Sequence, residues 1–286
     1  MSSFKTIILS PIRNLFKIPF LEKWILKKTN GKEYTNFFVK LLPSNRTYKK
    51  ESYRNAERGN IKYRLDISDY MEYTLYFGIE VESRATLLSL IKEDMVILDI
   101  GTNIGETLLN FAKINTKGIN YGFEPVPYLY QRAKHNIGLN NFDNIILNNI
   151  ALSDKKEQLF FSIPNNNNSG GIAMSKNAQQ GMLEVGAMTL DSFVANQNID
   201  KIHFIKIDVE GFEMNVLKGG SETLTKMKPQ MFIELVDNHL KRQNTSSKEV
   251  ILFLKNIGYE IYHAQTKEKI NENFNFQNTH FDIICY

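Results

Sequence analysis

Residues 96–125, VILDIGTNIGETLLNFAKINTKGINYGFEP, constrain this chain more than any other stretch. An apolar run, Val96-Ile97-Leu98, meets an acid and a glycine turn, Asp99-Ile100-Gly101-Thr102-Asn103-Ile104-Gly105. A helix-like segment and a second apolar run follow, closing on Glu124. Strand, turn, helix, strand and acid in this order make a unit that holds a nucleoside at the carboxyl ends of parallel strands. A dinucleotide turn reads G-x-G-x-x-G, its second glycine letting a pyrophosphate approach the backbone. Asn103 stands at that position, so the turn suits S-adenosylmethionine, an adenosine without phosphate, better than NAD.

The bulk numbers fit this reading. At 286 residues the chain is long enough for one sizeable α/β core with a modest extension. The single cysteine, Cys285, excludes an internal disulfide framework and a metal-thiolate site, and is compatible with a cytoplasmic location. No apolar run approaches the roughly 20 residues that span a bilayer. The apolar patch Thr6-Ile7-Ile8-Leu9 is followed too soon by Arg13, Lys17 and Lys23 for a secretory signal.

The net charge of +4 hides an asymmetry. Residues 1–64 hold fifteen Lys and Arg against four Asp and Glu, net +11, while the remainder is net −7. With Phe16, Phe20, Trp24, Tyr34, Phe37 and Phe38 interleaved, the basic front suggests a phosphate-bearing partner. Contact with an anionic membrane, peripheral at its inner surface, is one such reading. The alternative is a solvated helical extension packing its apolar stripe on the main domain.

Along the chain we expect a basic, helical accessory region over residues 1–85 and a main domain over 86–286. Residues 2–29 read as helices interrupted at Pro11 and Pro19, and 61–67 as a strand. Strands are expected at 96–100, 119–123, 144–149, 202–208, 230–235, 259–263 and 280–286. Helices fall at 79–93, 104–113, 127–139, 189–196, 212–227 and 246–257. Seven core strands, the last two consecutive, imply a parallel sheet finished by an antiparallel hairpin. Residues 157–163 read as an inserted hairpin strand. The segment from Pro164 to Gly186, with Asn165 to Asn168 and Gly170-Gly171, reads as a long loop and a candidate lid or acceptor-site loop.

The blocks VILDIGTNIGET, YGFEPVPYLYQRAKHNIGLN, NNIALSD, MTLDSF, FIKIDVEGFEMNVLKGG and FIEL together resemble the FkbM family of S-adenosylmethionine-dependent methyltransferases. The resemblance covers roughly residues 61–286, and its D-V-E-G-F-E block joined to F-E-P is more diagnostic than any glycine turn. It implies the class I methyltransferase sheet, Rossmann-like, with strand order 3-2-1-4-5-7-6. It also implies methylation of hydroxyls on acceptors such as macrolides and surface-glycan sugars.

Asp99, Gly101, Asn103 and Gly105 are expected to meet the methionine end of the cofactor, and Glu124 the ribose hydroxyls. Asn149 and Ala151 close the third strand, where adenine would lie. Asp208 ends a buried strand at the substrate rim and can orient the donor or act as general base, with Glu210 second. Glu213 reads equally well as a helix N-terminal charge. Glu234 and His239 lie at the next rim, where a histidine of ordinary pKa near 6.5 can take a proton. Nothing in the spacing of Asp208, Glu210 and Glu234 requires a metal ion, and none is assigned. Lys206, two before Asp208, shares its face and can pair with it.

The expected activity is in-line methyl transfer to a hydroxyl of a saccharide or lipid-linked glycan. Two rivals are an NAD-dependent oxidoreductase, disfavoured by Asn103, and a non-catalytic module binding nucleic acid or membrane through the basic front. Without an aromatic RNA-binding signature or Cys/His finger spacing, nucleic acid is not expected as a partner.

Overall fold

The structure is a computed structural model describing residues 11–80, 82–162, 173–176, 178–271, 274–276 and 279–286. Its described residues divide into two compact units, one up to residue 84 and the other from residue 85 onwards.

In the second unit the described residues form a seven-stranded sheet. Its members are β3 (Val96–Ile100), β4 (Ile119–Phe123), β5 (Ile145–Asn148), β10 (Phe204–Ile207), β11 (Gln230–Val236), β12 (Ile261–His263) and β13 (His280–Cys285). They lie in the order β12-β13-β11-β10-β3-β4-β5. Counted as core strands one to seven this is 3-2-1-4-5-7-6, the expected topology, with β13 antiparallel to both neighbours.

Helices cover both faces, so the central strands are apolar on both sides. The alternation of side chains sorts them into two cores. Leu98, Ile100, Ile205, Ile207, Ile233 and Ile283 join one cluster; Ile97, Phe204, Phe232 and Ile284 join the other. Continuing along that second face, the next positions after Ile97, Phe204 and Phe232 are Asp99, Lys206 and Glu234. Period two thus turns an apolar face into a row of charges at the carboxyl ends.

Two expectations are corrected. The segment up to Gly186 is not simply a loop: β8 (Ala173–Ser175) and β9 (Leu183–Met188) pair with β7 (Glu157–Ser162), and β6 (Ala151–Leu152) adds to β9. Val185 and Ala187 are buried while Glu184 and Gly186 are exposed, the alternation of a half-buried strand. The candidate lid residues Asn165 to Asn168 and Gly170-Gly171 lie outside the described residues. The helix read over 212–227 is two, Glu213–Gly219 and Ser221–Met227.

The first unit is not wholly helical. Strands β1 (Tyr53–Arg58) and β2 (Ile61–Asp66) form an antiparallel hairpin about Gly59 and Asn60, both left-handed, as a two-residue turn demands. Helix Tyr70–Phe77 follows, capped by the Asp69 carboxylate on Met71 and Glu72 N–H. Helix Pro19–Thr29 turns Glu22, Ile25 and Thr29 inward. Buried Glu22 accepts from Arg54 Nε and the Tyr76 hydroxyl, each at 2.8 Å. Among the described residues no helix is long and apolar enough to cross a membrane.

Candidate active site

The row of charges has a buried ammonium at its centre. Lys206 stands directly beside Asp99 in the parallel register of β10 on β3. Its Nζ lies 3.6 Å from Asp99 Oδ1 and 3.1 Å from Asp208 Oδ2, and donates to the Gly101 carbonyl at 3.3 Å. Asp99 is fully buried, and neither of its carboxylate oxygens meets a hydrogen-bond donor among the described residues. Burial pushes its pKa up to about 6, with Lys206 pulling the other way.

Asp208 differs in keeping a third of its side chain exposed. Burial raises its pKa, but Lys206 and a hydrogen bond with Glu234 more than offset this, so it lies below the ordinary value. Glu234 carries the complementary effect: the Asp208 charge, then burial, raise it to about 8. Its Oε1 sits 2.8 Å from His280 Nε2, whose pKa that contact raises.

The first turn wraps around Glu124. Burial lifts this carboxyl to about 8 although its oxygens accept from Asn103 N–H at 2.8 Å and Val126 N–H at 2.9 Å. Asn103 is held at φ 52. Gly101 is required by close approach: a Cβ there would lie 1.8 Å from the Asp208 carbonyl oxygen. The turns after β3 and β10 therefore pack backbone to backbone.

The second turn, Asp208-Val209-Glu210-Gly211, is clamped by buried Glu213, whose Oε1 accepts from Val209 and Gly211 N–H. Glu213 is thus a turn clamp, with burial raising it to about 7. Glu210 occupies φ 53, a left-handed conformation unusual for glutamate. Its Oε2 lies 2.6 Å from His239 Nδ1, at the start of helix Asp237–Arg242. Gly211 packs against the same helix, since a Cβ there would come 2.6 Å from the His239 carbonyl. Burial, then the charges of Asp208 and Glu234, raise Glu210 to about 9. Burial and the nearby Arg242 and His280 cations lower His239, favouring neutral imidazole.

Asp99, Asp208 and Glu234 are therefore linked through Lys206 and Asp208 at one edge of the sheet, and Glu210 and His239 form a second pair at the turn that follows Asp208. Gly101, Asn103, Gly105 and Glu124 share the adjoining turn. Asn149 joins the site only through the Glu124 backbone, and Ala151 sits apart from it. Exposed Asn149 donates to the Glu124 and Pro125 carbonyls at 2.8 and 2.9 Å, bracing the strand end. Buried Ala151 pairs with Ala187 in the second sheet. His280 escaped the sequence reading. Its signal was the antiparallel partnering of β13 with β11, which sets His280 opposite Val236, one same-face step from Glu234.

The sequence pattern of the methyltransferase FkbM domain matches residues 99–261, more than half of the chain, from the end of β3 to the start of β12. The 2-O-methyltransferase NoeI of Sinorhizobium fredii is 33% identical over 150 residues, 47% of this chain and 61% of NoeI. The hexuronic acid methyltransferase AglP of Haloferax volcanii is 29% identical over 138 residues, 48% of this chain and 55% of AglP. The chain thus matches little more than half the length of these curated relatives. Among solved structures, methyltransferase FkbM of Methylobacillus flagellatus aligns with a TM-score of 0.44 at 17% identity, over 76% of this chain and 55% of that one. With its glycine turn, its D-V-E-G-F-E block and the domain match in register, the chain belongs to the FkbM methyltransferase family.

Proposed function

We propose that this chain is an S-adenosylmethionine-dependent O-methyltransferase acting on a saccharide hydroxyl, free or carried on a lipid. The observation that carries the reading is Asp99: a fully buried carboxylate whose oxygens make no hydrogen bond among the described residues and whose paired ammonium, Lys206, stands off at 3.6 Å. Such a group costs stability unless a ligand completes it. Lys206 lies closer to Asp208 than to Asp99, so the ammonium of a bound amino acid would give Asp99 a hydrogen-bonding partner of its own, and the residues present fit the cofactor. Asp99 would hold the methionine ammonium, and Glu124 the ribose hydroxyls.

When bound, the cofactor supplies a methyl group on a sulfonium, already activated for displacement. The protein's share is to align an acceptor hydroxyl and remove its proton. Glu210 Oε2 and His239 Nδ1 lie 2.6 Å apart without hydrogen-bond geometry in the free protein, and a small rotation of either side chain would let one proton be shared between them. When the pair holds only that proton on Nδ1, Glu210 is a carboxylate and His239 Nε2 presents a free lone pair. A second proton makes Glu210 a neutral acid donating to Nδ1, and Nε2 then carries hydrogen and cannot act as a base. His239 is accordingly the base and Glu210 its positioning residue, with Asp208 kept ionised by Lys206. Support for a hydroxyl on a sugar comes from the relatives, one named for 2-O transfer and the other for hexuronic acid.

The test is transfer of labelled methyl to a panel of sugars, amines and carbon acids, with calorimetry of S-adenosylhomocysteine binding in parallel. We expect saturable binding and label on hydroxyl compounds alone. Binding without heat, or label on amines or carbon, overturns the reading.

A further inference from the structure

We propose that the first unit docks on an anionic lipid bilayer through the outer face of helix Pro19–Thr29 and the helical turn at Phe37. This inference is independent of the reaction assigned above.

The helix divides its residues between two faces at helical spacing. Positions 22, 25 and 29 are buried. The opposite face carries Phe20, Lys23, Trp24, Lys27 and Lys28, all exposed. Phe20 is 69% exposed, Phe37 67% and Trp24 45%. Trp24 and Phe37 belong to a continuous aromatic group, Trp24 packing edge-on to Phe38 at 5.9 Å and Phe38 edge-on to Phe37 at 5.5 Å, with Phe20 one helical turn before Trp24. Large rings held this open are anomalous on a water-facing surface, where isolated apolar side chains are ordinary but contiguous ones mark a contact.

The charge around them selects the partner. Residues 11–32 contain six Lys and Arg and a single acid. That acid, Glu22, is turned inward and paired with Arg54 at 2.8 Å, which leaves exposed Glu33, between the helix and Phe37, as the nearest acid in sequence to the outer-face lysines. Aromatic rings level with a ring of lysines fit the interface of a bilayer, where rings enter the headgroup layer and ammonium groups meet lipid phosphate. Phe20 and Phe37 offer no hydrogen bonds for reading a polar partner, which disfavours nucleic acid.

Trp24 is the chain's single tryptophan, so its emission reports on this face alone. Full-length protein is titrated with vesicles of phosphatidylcholine, with and without phosphatidylglycerol. The expected result is a blue shift, quenched by brominated acyl chains, that requires phosphatidylglycerol and is reversed by salt. Replacing Phe20→Ser with Phe37→Ser should weaken vesicle binding at least about tenfold. Neutralising Lys23, Lys27 and Lys28 to Gln should weaken it about a hundredfold. No shift with phosphatidylglycerol vesicles, or equal binding to neutral ones, overturns the proposal. So does a shift driven by protein concentration, meaning self-association, or a salt-sensitive shift with duplex DNA in the absence of any with vesicles.

Discussion

Replacing Asp99 by Asn should make the free protein more stable and the cofactor site worse. Burial raises the Asp99 carboxyl from 3.8 to about 6 even with Lys206 nearby. At roughly 1.36 kcal/mol per unit, holding the charged form at neutral pH costs about 3 kcal/mol. The sign follows from proton binding: the folded state holds this proton more tightly than the unfolded chain. Stability therefore falls as pH rises from about 4 to about 6 and stays reduced above. Asparagine copies the neutral acid in shape and does not titrate. Unfolding in guanidinium should find Asp99→Asn level with the parent near pH 4 and up to about 3 kcal/mol more stable at pH 7.5. Calorimetry should find S-adenosylhomocysteine bound about 10- to 100-fold more weakly, the loss of one charge-assisted hydrogen bond. A variant less stable than the parent at pH 7.5, or one that binds equally well, would refute the reasoning.

Lys206→Met leaves Asp99 and Asp208 facing each other without the ammonium now 3.6 and 3.1 Å away, and should cost about 3–5 kcal/mol in urea unfolding, partly recovered in acid. Glu210 lies near 9 in the free protein, so kcat/KM should rise with pH towards that value as the Glu210–His239 pair sheds its second proton; Glu210→Gln should flatten the profile, and a profile unchanged by that variant would exclude the pair. Burial holds Glu124 near 8, while ribose hydroxyl donors favour its ionised form, so binding at pH 7 should release protons and tighten as pH rises to about 8. Calorimetry in buffers of different ionisation enthalpy reads this directly: proton uptake, or the same linkage in Glu124→Gln, counts against a ribose contact.

The sheet was legible because its strands are apolar on both faces and bounded by turn residues: β3 and β4 match their expected limits to the residue. Strands with weaker patterns were not. Tyr53–Arg58 is YRNAER, a polar run whose only local signal is the Gly59-Asn60 turn, and its strand character comes from pairing with β2. Leu183–Met188 alternates correctly but follows an asparagine-rich stretch that masked it. The site acids could be read off strand ends, because in an open α/β sheet those ends converge on one edge. Their partnerships could not, since they depend on register: Lys206 on Asp99, Glu234 near His280, and Glu210 against a helix 29 positions on.

The two turns at the site are built alike, and their difference locates the chemistry. After β3 the chain passes through Asn103 at φ 52, and buried Glu124 grips its N–H. After β10 it passes through Glu210 at φ 53, and buried Glu213 grips the N–H groups on either side. Both clamps are glutamates spent on backbone donors, which frees Asp99 and Asp208 at the strand ends from any structural duty in the turns. Asparagine suits a left-handed position, its short amide being enriched there. Glutamate does not, and holding it there costs on the order of 1 kcal/mol. The backbone would be better served by asparagine or glycine at 210. What glutamate adds is a carboxylate 2.6 Å from His239. Glu51, Lys228 and Lys267 share the left-handed conformation at φ 65, 48 and 62, so the backbone alone does not distinguish Glu210; its place against His239 does. The contact with His239, rather than the backbone conformation, is what sets Glu210 apart from Asn103 and puts it in the proposed acceptor-side pair.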